Sequence, residues 1–148
     1  MSELLLEALP LARFGYCCSQ ILMKLILEAQ GVENPGLLRA MHGLCRGLAF
    51  RHGTCGLLTG GICTLSYLTG KGGEDDEAHL FREELRYKYL EWFKETVKEC
   101  GGTECFQVTK LMAEASEIEC ASLLSQCWEK LLELLDEYGI DPSLPPSS

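Results

Sequence analysis

Apolar residues in this 148-residue chain recur every three or four positions, and no run alternates apolar with polar residues long enough to make a strand. Ile21, Leu22, Leu25, Ile26 and Ala29 carry that spacing in one segment. Leu80, Phe81, Leu85, Tyr89, Trp92, Phe93 and Val97 carry it in a second, and Leu124, Cys127, Leu131, Leu135 and Tyr138 in a third. Each such segment has one apolar stripe, which is stable only when buried against another. The expected fold is all-α, a compact bundle of about five to seven helices. One helical domain is expected over residues 1–138, with a flexible Pro- and Ser-rich tail at 139–148.

Local signals set the expected boundaries. A first amphipathic helix carries Leu4, Leu5, Leu9 and Ala12 and ends near Phe14 and Gly15. A second runs from Tyr16 to Gln30, with Gly31 as the residue after it. Asn34 and Pro35 read as N-cap and first helical position of a helix through Leu44 or Cys45. Arg46 to Gly53 is expected to be a loop, and Thr54 the N-cap of an uncharged helix to Leu68. Within that helix Gly56, Gly60 and Gly61 let another helix approach closely. Gly70 to Asp76 reads as a turn and Asp76 to Glu99 as a long helix whose charges face solvent. Thr103 is placed to cap a short helix to Met112, and the last helix spans Glu119 to Tyr138.

Composition narrows the function. A net charge of -9, from 13 Lys and Arg against 22 Asp and Glu, opposes binding to phosphate-rich surfaces. Neither nucleic acid nor an anionic membrane is expected as a partner. Residues 1–20 lack a basic segment and are interrupted by Pro10 and Arg13, so a secretory signal is not expected and the cytoplasm is. The uncharged stretch Gly53–Gly70 holds five glycines and several hydroxyl residues, which favours a buried core helix over a membrane span.

Nine cysteines remain to be explained, and in a reducing compartment metal binding or redox chemistry explains them better than a disulfide framework. No Cys-x-x-Cys occurs, so any site must be assembled by the fold. Three cysteines follow glycine turns at helix starts: Cys18 after Gly15, Cys55 after Gly53, and Cys105 after Gly101 and Gly102. There the unpaired backbone N–H groups and the helix dipole favour the thiolate, the form that attacks disulfides and binds metals. Cys45, Cys63 and Cys120 have apolar helical neighbours and read as small buried hydrophobes. Cys100 and Cys105 could bridge locally across the Gly-Gly turn, whereas Cys120 and Cys127, two helical turns apart, are too distant to pair. Of the three histidines, His52 stands nearest to Cys55 and, with Arg51, could supply positive charge to its thiolate.

The segments Tyr16-Cys17-Cys18-Ser19-Gln20, Gly53-Thr54-Cys55-Gly56-Leu57-Leu58-Thr59-Gly60 and Gly101-Gly102-Thr103-Glu104-Cys105, followed by Cys127, resemble the small redox-active proteins named for their C_GCAxxG_C_C pattern. The resemblance covers nearly the whole chain. It assigns the four characteristic cysteines to Cys18, Cys55, Cys105 and Cys127, with Gly53, Thr54, Gly56 and Gly60 in support. Leu57 replaces the alanine of the family's central motif, and Cys17 stands where a polar residue is common. A similar module joined to haem-binding segments in split-Soret cytochromes implies an iron–sulfur centre and electron transfer with a redox partner protein.

Three functional readings of the cysteines stay open at this point, beside that of a helical bundle with inert buried cysteines. The first is a four-thiolate site holding an iron–sulfur cluster or another thiophilic metal. The second is a metal-free thiol–disulfide protein with Cys18 or Cys55 as nucleophile. The third is a structural zinc module whose apolar helices form a homodimer face.

Overall fold

The computed structural model describes residues 8, 10–49, 53–110 and 117–146, with backbone alone at 109–110 and 117–121. Among the described residues the chain is helical and contains no strand. Its α-helices are α1 (Cys18–Gln30), α2 (Pro35–Met41), α3 (Gly56–Thr69), α4 (Arg82–Thr96), α5 (Cys105–Lys110) and α6 (Glu117–Glu137), with 3-10 turns at His42–Leu44 and Lys98–Cys100. Helical backbone at 10–13 precedes α1, as the pattern of the first segment predicts.

The caps follow the local chemistry. Asn34 accepts a hydrogen bond from the Leu37 N–H at 3.1 Å, with Pro35 at the first helical position. Gly31 ends α1 in the left-handed region at φ 69°, donating to the Glu28 and Leu27 carbonyls. Two starts differ from expectation. Thr54 does not cap α3; Cys55 occupies the N-cap, because the Thr54 backbone is engaged in an isolated antiparallel bridge with Glu104. The long helix begins at Arg82 rather than Asp76, since Lys71 Nζ caps the carbonyls of Glu74 and Asp76 and holds that stretch as a loop.

Two clusters of side chains hold the helices together. The larger joins Leu22 and Ile26 of α1, Leu58 and Leu65 of α3, Leu85, Tyr89 and Phe93 of α4, and Leu131 and Leu135 of α6. The smaller packs Met23 and Leu27 of α1 against Leu38 and Met41 of α2. At about 1.5–3 kcal/mol for each fully buried large apolar side chain, these clusters supply the main drive to fold. Beyond Gly139, Ile140 packs against the larger cluster and the Leu144 carbonyl accepts from Gln30 Nε2 at 3.0 Å.

The central element is α3, and its glycines set how near its neighbours come. A Cβ on Gly60 would stand 2.6 Å from the Cα of Ser19 in α1, and one on Gly61 would overlap the Tyr89 ring of α4. The expectation of close approach thus holds on two sides of one helix. No described helix is long and apolar enough to cross a membrane.

Candidate redox site

Cys55 and Cys105 are brought together by backbone. The Cys55 N–H donates to the Thr103 carbonyl at 2.8 Å and the Cys105 N–H to the Gly53 carbonyl at 2.5 Å, on either side of the Thr54–Glu104 bridge. Side chains alternate along extended backbone, so the residues flanking the bridged pair share a side. Both thiols are buried, at 7% exposure each. The turn before Cys105 is clamped by Gln107, which accepts from the Glu104 N–H at 3.1 Å and donates to the Gly101 carbonyl at 3.1 Å. Gly53 is required on the other side: its N–H donates to the Gly47 carbonyl at 2.7 Å, and a Cβ would come within 2.9 Å of that oxygen.

Cys18 is the first residue of α1, half-buried, and packs against the larger cluster. It is more exposed than Cys55, Cys105 and Cys127. Cys127 projects from the middle of α6 and is fully buried. Burial pushes the Cys127 thiol up to about 12, opposed by a hydrogen bond with the Tyr89 hydroxyl and reinforced by the nearby Cys55 and Cys18 sulfurs. At neutral pH Cys127 therefore holds its proton. Cys55 and Cys127 belong to the larger cluster, and Cys18 packs against it. Tyr89, also fully buried, donates its hydroxyl to the Leu57 carbonyl at 2.6 Å, and burial raises its own ionisation well above the ordinary phenol range.

As expected, three cysteines stand at helix starts: Cys55 at the N-cap of the 14-residue α3, Cys18 at the first position of the 13-residue α1, and Cys105 at the first position of the shorter α5. Gly56 and Gly60 seat α3 against the Leu44 carbonyl and Ser19, and Thr54 and Gly53 form the bridge that orients Cys55.

A further pair was not foreseen. Cys17 and Cys45 form a disulfide with a Cα–Cα distance of 5.9 Å and a sequence separation of 28. Cys45 is thus not an inert buried hydrophobe; α1 and α2 pack so that the residue after the 3-10 turn meets the α1 N-cap. The adjacent cysteines at 17 and 18 were the available signal, but only tertiary packing supplies the partner. Cys18, Cys55, Cys63, Cys100, Cys105 and Cys127 are present as thiols, so the local Cys100–Cys105 bridge is not formed. Cys63 keeps its packing role, half-buried beside the smaller cluster with its thiol raised by burial. The His52 residue and the Cys120 side chain lie outside the described residues.

Among the described residues no three His, Cys, Asp or Glu side chains are placed to hold a metal ion. An open cleft lined by Ser66, Tyr67 and Lys71 among others lies at the far end of α3 from Cys55, roughly 20 Å along a helix of this length.

A family model described as "Putative redox-active protein (C_GCAxxG_C_C)" matches residues 16–134. No curated protein and no solved structure matches the chain.

Proposed function

The chain belongs to the C_GCAxxG_C_C family of redox-active proteins, and from that premise we propose that it is a thiol–disulfide redox protein whose centre is Cys18, Cys55, Cys105 and Cys127. The observation that carries this reading is that the helix starts bearing Cys18 and Cys55 meet, a Cβ on Gly56 lying 3.8 Å from Ser19 Cβ, while Cys18 packs against the same buried cluster that holds Cys55 and Cys127. An accessible thiol at a helix N-terminus beside a buried one suits the division between attacking and resolving sulfur.

In the proposed cycle the Cys18 thiolate attacks one sulfur of a substrate disulfide, small-molecule or protein. The substrate S–S bond breaks, a mixed disulfide forms at Cys18, and the departing substrate sulfur takes a proton. Cys55 then attacks the Cys18 sulfur and releases the second substrate thiol. Two protein thiols become one disulfide, and the two electrons and two protons reside on the substrate. A thiol reductant of the same class restores the dithiol. Cys127 stays protonated in the same buried cluster as Cys55, while Cys105 lies beside Cys55 across the backbone bridge. No step is routed through a metal, because the described donors do not meet at a metal-binding point. The net charge of -9 suits a partner with a basic docking face.

The test is anaerobic purification with metal analysis and an absorption spectrum, followed by timed alkylation and peptide mapping of the wild type and of Cys18→Ser and Cys55→Ser. Colourless, metal-free protein in which Cys18 reacts first, and which forms a Cys18-dependent disulfide on oxidation, supports the reading. Iron and sulfide with a visible band that is lost in Cys55→Ser would replace it with the cluster reading. One tightly held zinc would replace it with the structural one.

A further inference from the structure

The Cys17–Cys45 disulfide lies outside the proposed four-cysteine centre, yet each of its halves precedes one of that centre's cysteines in the chain. Cys17 directly precedes Cys18, and Cys45 opens the segment that leads to Gly53 and Cys55. That segment has an uncommon backbone. Arg46, Gly47, Leu48 and Ala49 all have positive φ, at 50°, 76°, 63° and 52°. Three of the four are not glycine, and for L-residues each left-handed step carries a steric penalty. Four in succession persist only where both ends are held. One end is fastened by the disulfide at Cys45; the other by the 2.7 Å hydrogen bond from the Gly53 N–H to the Gly47 carbonyl, with Ala49 N–H donating to the Gly43 carbonyl between them at 2.8 Å.

The two sulfurs also differ in access. Cys17 is half-buried, whereas Cys45 is 1% exposed. The fully buried Ser19 hydroxyl lies beside both, 3.2 Å from Cys17 Sγ and 3.8 Å from Cys45 Sγ, while donating to the Met41 carbonyl at 3.2 Å.

We propose that Cys17 and Cys45 are a second, reversible dithiol–disulfide couple that exchanges with thiol reductants and controls exposure of Cys55 through the left-handed turn between them. The reductant's thiolate attacks the reachable Cys17 sulfur. The Cys17–Cys45 bond breaks, and Cys45 leaves as a thiolate that the Ser19 hydroxyl stabilises by turning from the Met41 carbonyl. A second reductant thiol attacks the mixed disulfide at Cys17. The reductant ends as a disulfide; Cys17 and Cys45 end as thiols, having gained two electrons and two protons. Untethered at Cys45, residues 46–49 relax toward right-handed backbone, the Gly47 carbonyl leaves Gly53, and the loop bearing Cys55 loses an anchor. In a reducing compartment a disulfide of this kind is a sensor rather than a staple. Its consequence for Cys55 rests on the thiol–disulfide reading of the four-cysteine centre; the couple itself does not.

The experiment takes the full-length protein under anaerobic conditions through a series of reduced-to-oxidised dithiothreitol ratios. At each ratio the Cys17–Cys45 link is quantified by peptide mass spectrometry, and the rate of iodoacetamide reaction at Cys55 is measured in a short pulse. The expected result is reversible passage of the pair between its two states, with Cys55 labelling, read in a Cys18→Ser chain where no Cys18–Cys55 disulfide can form, rising about tenfold or more over the same midpoint as local opening becomes accessible. Ser19→Ala should slow reduction roughly tenfold, the rate equivalent of losing one hydrogen bond to a charged sulfur. Persistence of the pair in excess dithiothreitol overturns the proposal, as does Cys55 labelling that stays within about twofold of its starting rate. A Cys18→Ser chain separates this proposal from the previous one: the Cys17–Cys45 titration should survive there without any disulfide exchange by the four-cysteine centre, and its loss would overturn the claim of a separate couple. Helical circular dichroism throughout the titration distinguishes local opening, which supports the proposal, from global unfolding, which overturns it.

Discussion

Replacing Gly60 by Ala tests the structural basis of the site most directly. The added Cβ would lie 2.6 Å from the Ser19 Cα and 2.7 Å from its Cβ, and both obstacles belong to the body of α1. Carbon atoms in ordinary contact stand about 3.5–4.0 Å apart, so α1 and α3 must separate by about 1 Å at their crossing. The start of α1 cannot swing aside freely, because Cys17 is tied to Cys45 two residues before Ser19. Overpacking of a close-packed site costs about 1–3 kcal/mol, and a backbone obstacle belongs near the top of that range. Alanine recovers about 1 kcal/mol of helix propensity over glycine, leaving a net loss of about 2 kcal/mol. With a urea slope of about 2 kcal/mol per molar, the unfolding midpoint should fall by about 1 M. The assay is urea unfolding followed by circular dichroism, beside Gly36→Ala in α2, where the new Cβ meets only Asn34 Oδ1 at 3.9 Å. That control should be neutral or more stable by up to about 1 kcal/mol. An unchanged or raised midpoint in Gly60→Ala, with the same slope, would refute the claim that glycine permits this helix contact.

Further outcomes follow from the cysteines and Tyr89. The folded Cys127 holds its proton up to about 12, against 9.0 for an unperturbed thiol, so its contribution to stability is complete below about pH 9 and is lost as pH rises toward 12. Stability measured by urea unfolding from about pH 8 to 10.5 should decline with a slope of up to about 1.4 kcal/mol per pH unit from this group, and Cys127→Ala should flatten that part, leaving the losses due to Cys63 and Tyr89. Reduction of Cys17–Cys45, or Cys45→Ser, opens a loop of 28 residues; the unfolded-chain entropy corresponds to about 3–4 kcal/mol, measurable as a drop in urea midpoint shared by the reduced wild type and the variant. Tyr89→Phe removes the 2.6 Å bond to the Leu57 carbonyl and the hydroxyl that lowers the Cys127 thiol. It should lose about 1 kcal/mol of stability, read as a lower urea midpoint.

Much of the architecture was legible in the order of residues because helices are local objects. The spacing of Ile21, Leu22, Leu25 and Ile26 dictates a buried stripe whatever lies opposite, Asn34-Pro35 starts a helix by its own chemistry, and Gly31 ends one. The positions of Cys18, Cys55 and Cys105 at helix starts were readable for the same reason. The local reading failed where distant backbone intervened. Thr54 lost its cap because Glu104, fifty residues on in sequence, pairs with it, and residues 76–81 stay outside the helix where Lys71 holds the Asp76 carbonyl and the His79 N–H donates to the Thr69 carbonyl.

The sequence by itself determined that helices would form, where most begin, and which cysteines lie at their ends. Only the tertiary structure decided that Cys17 meets Cys45, that Tyr89 reaches between Leu57 and Cys127, and that Gly60 and Gly61 face α1 and α4 respectively. Capping and periodicity act over a few residues and are written in neighbouring side chains. Sulfur chemistry depends instead on separations of a few ångströms between residues far apart in the chain, and those are set when whole helix faces pack.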